Sequence, residues 1–345
     1  MKLRQWMGVA SAALALGLSA CGGGESDQGG NDNVVKVQRV VVFGDSLSDA
    51  GTYTPAAAAV GGGRFTTNPG PVWVETVASQ MGVALTPAVM GFGTSVQNCP
   101  KAGCFDYAQG GARVTDPNGI GHAGGALTYP VKQQLANFYT ASNNTFNGSS
   151  DLVFVFGGNN DIFFWAAAVA ASPTTVTPAI ATAQVQQAAT DLVGYIKDMI
   201  SKNATQLYVF NLPDSSLTPQ GVAGGVAGQA LLHSLVGTFN TTLQNGLAGT
   251  TARVIDFNSQ LTAVIQNGAQ FGFANTSTPA CDATKINALV PTAGGSSLFC
   301  SANTLVATGA DTTYLFADGV HPTTGGHRLI ASNVLQRLLA DNLVH

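Results

Sequence analysis

Four short strand-like runs most constrain what this chain can fold into: Val40–Phe43, Leu152–Phe156, Leu207–Phe210 and Arg253–Phe257. The first is continuously apolar, β-branched and closed by Gly44, the pattern of a strand buried on both faces. Helical periodicity fills the gaps, over Val72–Met81, Leu127–Phe138, Val185–Ile200, Gln229–Leu243, Gln260–Ile265 and Arg328–Leu343. Strand and helix in alternation call for an α/β domain with a mostly parallel sheet. Ligands in such sheets sit beyond the carboxyl ends of the strands, so the residues just past each run are where chemistry is expected. Two long stretches, Thr52–Pro71 and Phe271–Asp311, read as loops, and loops of that length usually carry function.

Charged residues make up only 9% of the 345-residue chain, against about 25% in a typical soluble domain. The net charge is −4 and no basic stripe is present, which excludes a nucleic-acid partner. The N-terminus reads as an export signal: Lys2 and Arg4, then an apolar run from Ala10 to Gly17 too short to span a bilayer. It ends in Leu18-Ser19-Ala20-Cys21, which resembles a bacterial lipobox with Cys21 as the lipidated residue. Residues 22–33, GGGESDQGGNDN, lack any large apolar side chain and read as a flexible tether. The expected organisation is a signal peptide over residues 1–20, an anchored tether over 21–36 and a single catalytic domain over 37–345. The protein is then an exported lipoprotein of the outer membrane or cell surface, held by its lipid. With Cys21 set aside, Cys99, Cys104, Cys281 and Cys300 remain, enough for two disulfides in an oxidising compartment. Four cysteines allow three connectivities. Cys99–Cys104 and Cys281–Cys300 are favoured, because each pair brackets a loop-like stretch. A metal site is disfavoured, since none of the four forms a CxxC pair and no His lies close by.

The first strand runs into Gly44-Asp45-Ser46-Leu47-Ser48-Asp49, placing Ser46 where an α/β hydrolase presents a nucleophile, though without the G-x-S-x-G elbow. A serine nucleophile needs a His base and an orienting carboxylate. Of the five His, His345 is terminal, His122 lies in a Gly-rich loop and His233 sits in a helical pattern, where a partly buried place is expected. His327 opens the last helix and is assigned a solvated place. Asp318 and His321, three apart in Asp318-Gly-Val-His321-Pro322, can meet across one turn. An oxyanion needs donors, and two candidates follow: Gly158-Asn159-Asn160-Asp161 past the second strand, and the Gly110-Gly111 pair. Ile162-Phe163-Phe164-Trp165 reads as helix packing more than as an acyl pocket.

These segments together resemble the GDSL lipase/esterases of the SGNH hydrolase superfamily. Four blocks match in order: Gly44–Asp49, Gly110-Gly111, Gly158–Asp161 and Asp318–Pro322. Asn211-Leu212-Pro213-Asp214, Thr218-Pro219 and Phe239-Asn240 point to the branch of bacterial autotransporter esterases and plant-type GDSL lipases. The resemblance spans Arg39 to Ile330. It implies a three-layer α/β/α sandwich with a five-stranded parallel sheet, one strand more than the four read above. It also implies Ser46 as nucleophile, His321 as base and then acid, and Asp318 as its orienting partner. The oxyanion donors would be the Ser46 N–H, the Gly111 N–H and the Asn160 side chain. Asp106, Thr52 and Ala317 depart from residues common in the family, namely Asn, Asn and Trp. The expected activity is ester hydrolysis on a small-molecule or lipid ester, without metal or cofactor. An acyltransferase on the same chemistry and a noncatalytic surface-binding lipoprotein are the alternatives, and the oligomeric state is left open. The Phe271–Asp311 insertion is expected to shape the alcohol or acyl side.

Overall fold

The computed structural model describes residues 36–99 and 103–343. The signal segment, the tether and the lipidation residue Cys21 lie outside the described residues. Six strands are present among the described residues: β1 (Arg39–Gly44), β2 (Val89–Phe92), β3 (Ser95–Asn98), β4 (Asp151–Phe156), β5 (Gln206–Phe210) and β6 (Arg253–Ile255). β1, β4, β5 and β6 form one parallel sheet in the order β1-β4-β5-β6, and β2 and β3 form a separate hairpin. All four strand-like runs are therefore strands of the main sheet. Each residue of β4 is buried, as continuous apolar runs require.

Helices cover both faces. On one face the helix Trp73–Gln80 sets the Trp73 ring against Phe154 and Phe210. The last helix, Thr324–Ala340, packs on the same side, where Arg337 lies over the Tyr208 ring. On the other face the helix Val131–Ala141 places Phe138 edge-on against Phe43 of β1. This is the expected three-layer α/β/α arrangement. The fifth strand is present only in outline. Segment 105–109 runs along the free edge of β1, with Val42 N–H donating to Phe105 O (2.9 Å), Tyr107 N–H to Val42 O (2.8 Å) and Gln109 N–H to Gly44 O (3.2 Å). Its ladder breaks because Gly44 N–H donates instead to Gln134 Oε1 at 2.9 Å.

Element ends shift where capping decides them. Helix Val131–Ala141 starts later than the periodicity predicts, after Pro130. The long helix extends back to Pro178, behind a Thr177 cap. The fourth helical stretch, expected over Gln229–Leu243, is Gly225–Leu247, longer than expected at both ends. The strand expected to reach Phe257 stops at Ile255, because Asp256 caps the helix Phe257–Gln266 by accepting the Ser259 N–H. The long loops carry short helical pieces of their own, Thr54–Ala57 in the first and Ala283–Leu289 in the second. Two histidine placements are corrected. His327 is fully buried rather than solvated, and His233 is exposed on its helix, with Nδ1 2.6 Å from Asp214.

Candidate active site

The site forms where the carboxyl ends of β1 and β4 open onto three loops. Gly44 ends β1 at φ +154°, and a Cβ there would meet the Phe156 carbonyl at 2.1 Å, so only glycine lets β1 turn this close to β4. The turn that follows is held by Asp45. One of its oxygens accepts the Leu47 N–H (3.1 Å) and the other accepts the Asn159 amide (3.0 Å). Burial pushes the Asp45 carboxyl up to about 6, with those two hydrogen bonds opposing the shift. The loop carrying Ser46 is thereby tied to the start of the helix Asn159–Ala171.

His321 reaches this loop from the far end of the chain. Segment 316–322 is a tight turn in which Ala317 N–H donates to His321 O at 2.7 Å. Asp318 Oδ1 accepts the Val320 N–H (3.0 Å) and the His321 N–H (2.9 Å), the local carboxylate-to-backbone pattern that Asp favours. His321 Nδ1 lies 2.8 Å from Asp318 Oδ2, and His321 Nε2 lies 2.8 Å from Ser46 Oγ. A carboxylate only accepts, so Nδ1 carries the proton and the Nε2 lone pair faces the Ser46 hydroxyl. Burial opposes the charge on Asp318. The facing imidazole and the Val320 and His321 N–H groups outweigh burial and hold the carboxyl well below its usual range.

Gly111 and Asn160 line the same cavity as Ser46 and His321, a space of about 900 Å³. Gly111 sits at φ +80°, and a Cβ would meet Ile120 O at 2.0 Å. Neither the Ser46 N–H nor the Gly111 N–H has an acceptor among the described residues. The Asn160 amide donates to Ala112 O at 2.8 Å, leaving one amide hydrogen uncommitted. The spacing between the Gly111 and Asn160 loops is set by Asp161, which accepts Arg113 Nε (3.1 Å) and Val114 N–H (2.9 Å). Burial pushes Asp161 up to about 6, against the nearby Arg113 charge.

The expected insertion reaches the site by two routes. Leu298 and Phe299 line the cavity, and Ser297 N–H donates to Asp318 Oδ2 at 2.8 Å. The insertion is closed by Cys281–Cys300 and the hairpin base by Cys99–Cys104, the two favoured pairings. The Asn68 amide lies within hydrogen-bond reach of Ser297 O (3.2 Å) and Cys300 O (3.0 Å), joining the first long loop to the second. Of the aromatic run, Ile162 is buried packing, Phe163 lines the cavity, and Phe164 is partly exposed beneath the Arg113 guanidinium. His122 is exposed, with Nδ1 3.1 Å from Thr128 Oγ1. The family departures are all buried: Asp106 accepts the Ala50 and Ala108 N–H groups, Thr52 donates to Ala108 O, and Ala317 is fully enclosed. Sequence reasoning missed Asp45–Asn159, Gln134 on Gly44, Ser297 on Asp318, and Phe65, whose ring centre lies 5.0 Å from that of His321. Among the described residues no group of three or more His, Cys, Asp or Glu is placed to hold a metal ion.

The sequence pattern of the GDSL-like Lipase/Acylhydrolase family matches residues 40–334. Esterase EstA of Pseudomonas aeruginosa is 30% identical over 338 residues, covering 87% of this chain and 47% of its own length. Esterase EstA of Pseudomonas putida gives the same values. The chain thus spans about half the length of the curated relatives it matches. Similarity to solved structures is remote. The alpha/beta hydrolase enzyme LAE5 from the metagenome of Lake Arreo, Spain, is 14% identical with a TM-score of 0.43, covering 90% of this chain and 99% of its own. The lipase Lip_vut3 from a goat rumen metagenome is 12% identical with a TM-score of 0.45, covering 87% and 97%. Because the family pattern runs from the first strand into the last helix, the chain belongs to the GDSL-like lipase/acylhydrolase family.

Proposed function

We propose that the protein hydrolyses carboxylic esters in two steps through an acyl-enzyme on Ser46. The continuous chain from Ser46 Oγ to His321 Nε2 and from His321 Nδ1 to Asp318 carries this reading. His321 takes the Ser46 proton as Oγ bonds to the ester carbonyl carbon, and the carbonyl electron pair moves onto oxygen. The oxyanion is held by the Ser46 N–H, the Gly111 N–H and the Asn160 amide. It collapses by breaking the bond to the alkoxy oxygen, which leaves as alcohol with the proton from His321. Water then attacks the acyl-enzyme, giving its proton to His321, and the acid departs as Ser46 regains its own. Asp318, kept ionised, fixes the imidazole tautomer and stabilises the imidazolium between steps. The cavity wall includes Phe65, Phe163, Phe257 and Leu298, which supports an apolar acyl or alcohol group, from a small-molecule or lipid ester.

The decisive experiment compares wild type with Ser46→Ala on p-nitrophenyl esters of increasing acyl length. Turnover lost in a folded variant supports the reading; turnover retained removes Ser46 as nucleophile. The two disulfides support export to an oxidising compartment. We further propose membrane attachment of the single domain through lipid on Cys21. Metabolic labelling with a radioactive fatty acid should mark wild type and not Cys21→Ala; equal labelling would refute the anchor.

A further inference from the structure

The Gly110–Gly111 peptide is held by a residue that the reaction described above does not use. Tyr53 Oη donates to the Gly110 carbonyl at 2.7 Å. The same oxygen accepts the Thr128 N–H at 3.2 Å, so its single proton is committed to Gly110. The carbonyl of Gly110 and the N–H of Gly111 belong to one peptide unit. Among the described residues only Asn68–Pro69 is cis, so this unit is trans. In a trans peptide the C=O and N–H point in opposite directions. Tyr53 draws the carbonyl to its side and turns the Gly111 N–H the other way. A hydrogen bond accepted at the carbonyl also polarises the unit and makes its N–H a stronger donor.

The anchor itself is rigid. Tyr53 is 1% exposed, and its ring meets Phe65 edge-on at 5.9 Å between centres. Asp49 Oδ2 accepts the Gly110 N–H at 2.8 Å, so the peptide on the other side of Gly110 is fixed as well. Burial, aided by the nearby Asp49 charge, pushes the Tyr53 hydroxyl up, and it stays an O–H donor across the working pH range.

We propose that Tyr53 is the positioning residue of the oxyanion-binding peptide, fixing the direction and donor strength of the Gly111 N–H through the Gly110 carbonyl. The proposal rests on the reading of Ser46 as an acyl-transfer nucleophile. The Tyr53 ring also lines the cavity, but its hydroxyl acts through the Gly111 N–H, where negative charge develops on the substrate oxygen. Loss of the hydroxyl with the ring kept is therefore read in kcat and not in ground-state binding.

The test is Tyr53→Phe, which removes one oxygen and keeps the ring. Rates are taken per active site, counted by the p-nitrophenol burst from a p-nitrophenyl phosphonate. Loss of a whole oxyanion donor costs about 10²–10³ in rate, and loss of its orienting bond should cost about tenfold. The expected result is kcat down about tenfold, KM within about twofold, and the Ki of a trifluoromethyl ketone raised by the same factor as kcat/KM falls. An unchanged kcat per titrated site overturns the proposal, and so does a lower kcat with an unchanged ketone Ki. Should Tyr53→Phe fail to fold, 3-fluorotyrosine at position 53, close in size and a stronger donor, replaces it. It should raise kcat/KM and tighten the ketone together; no change in either overturns the proposal. Ser46→Ala run alongside separates the two readings. Activity surviving there overturns the serine chemistry, whereas loss there with an unaffected Tyr53→Phe overturns only the role of Tyr53.

Discussion

His327 should make the fold acid-sensitive, and replacing it with Asn should remove that sensitivity. The imidazole is fully buried in the first turn of the last helix, and its Nδ1 accepts the Trp73 N–H at 3.2 Å. That N–H opens the helix Trp73–Gln80 and has no partner within its own helix. Burial lowers the imidazole from 6.5 to about 3, opposed by the Phe65 backbone and aided by His321. The folded chain therefore holds His327 neutral while the unfolded chain protonates it below about 6.5. Between the two values the unfolded state binds more protons, so stability rises with pH and is lost as pH falls from about 6.5 towards 3. From pH 7 to pH 5 the loss is about 2 kcal/mol, and any folded value below about 4 gives the same figure. Asn keeps an acceptor near the Nδ1 position and does not titrate. It also removes ring volume, a cost of about 1–3 kcal/mol that does not depend on pH. The assay is urea unfolding of wild type and His327→Asn at both pH values, with disulfides intact. The wild-type advantage should shrink by about 2 kcal/mol at pH 5. Taking the difference cancels the buried carboxylates Asp45 and Asp161, whose raised values act in the opposite direction. An advantage equal at both pH values would refute the buried neutral imidazole.

Three further outcomes are expected. Asn160→Ala should lower kcat by about 10²–10³ with little change in KM; a loss confined to KM would remove its amide from the oxyanion site. Arg113→Met leaves Asp161 buried without its cation, and should cost about 3–5 kcal/mol at pH 8. The Asp161 value is already raised, so this cost must ease as pH falls and the carboxyl takes up a proton; thermal melts showing a larger penalty at pH 5 than at pH 8 would contradict the assignment. Replacing both Cys281 and Cys300 with Ala opens a loop whose ends are 19 residues apart, at about 3 kcal/mol by chain entropy. It also loosens the Ser297 N–H on Asp318, so kcat per titrated site should fall; an unchanged kcat in a destabilised variant would confine the disulfide to stability.

The sequence by itself determined what is written within a few residues. Strand and helix carry their periods locally, so the four runs and their alternation are legible in Val40–Phe43 and its successors. The Asp318–His321 pair is a single turn closed by its own backbone, and the disulfides join cysteines only 5 and 19 positions apart, across stretches that contain their own turn signals. The matching blocks pointed to Ser46, Gly111 and Asn160, which the fold gathers around one cavity, because each lies in a short turn just past, or close to, a strand end. Tertiary structure alone decided which faces meet. Gln134 reaches Gly44 across 90 residues and breaks the fifth strand's ladder, and Tyr53 reaches Gly110 across 57. Ser297 joins Asp318 from inside an insertion whose sequence carries no catalytic pattern. His327 looks solvated in sequence because it opens a helix with small and polar neighbours, yet the packing of that helix against Trp73–Gln80 encloses it completely. Burial and the choice of a distant hydrogen-bond partner are properties of two surfaces in contact, and no local window of the chain contains both.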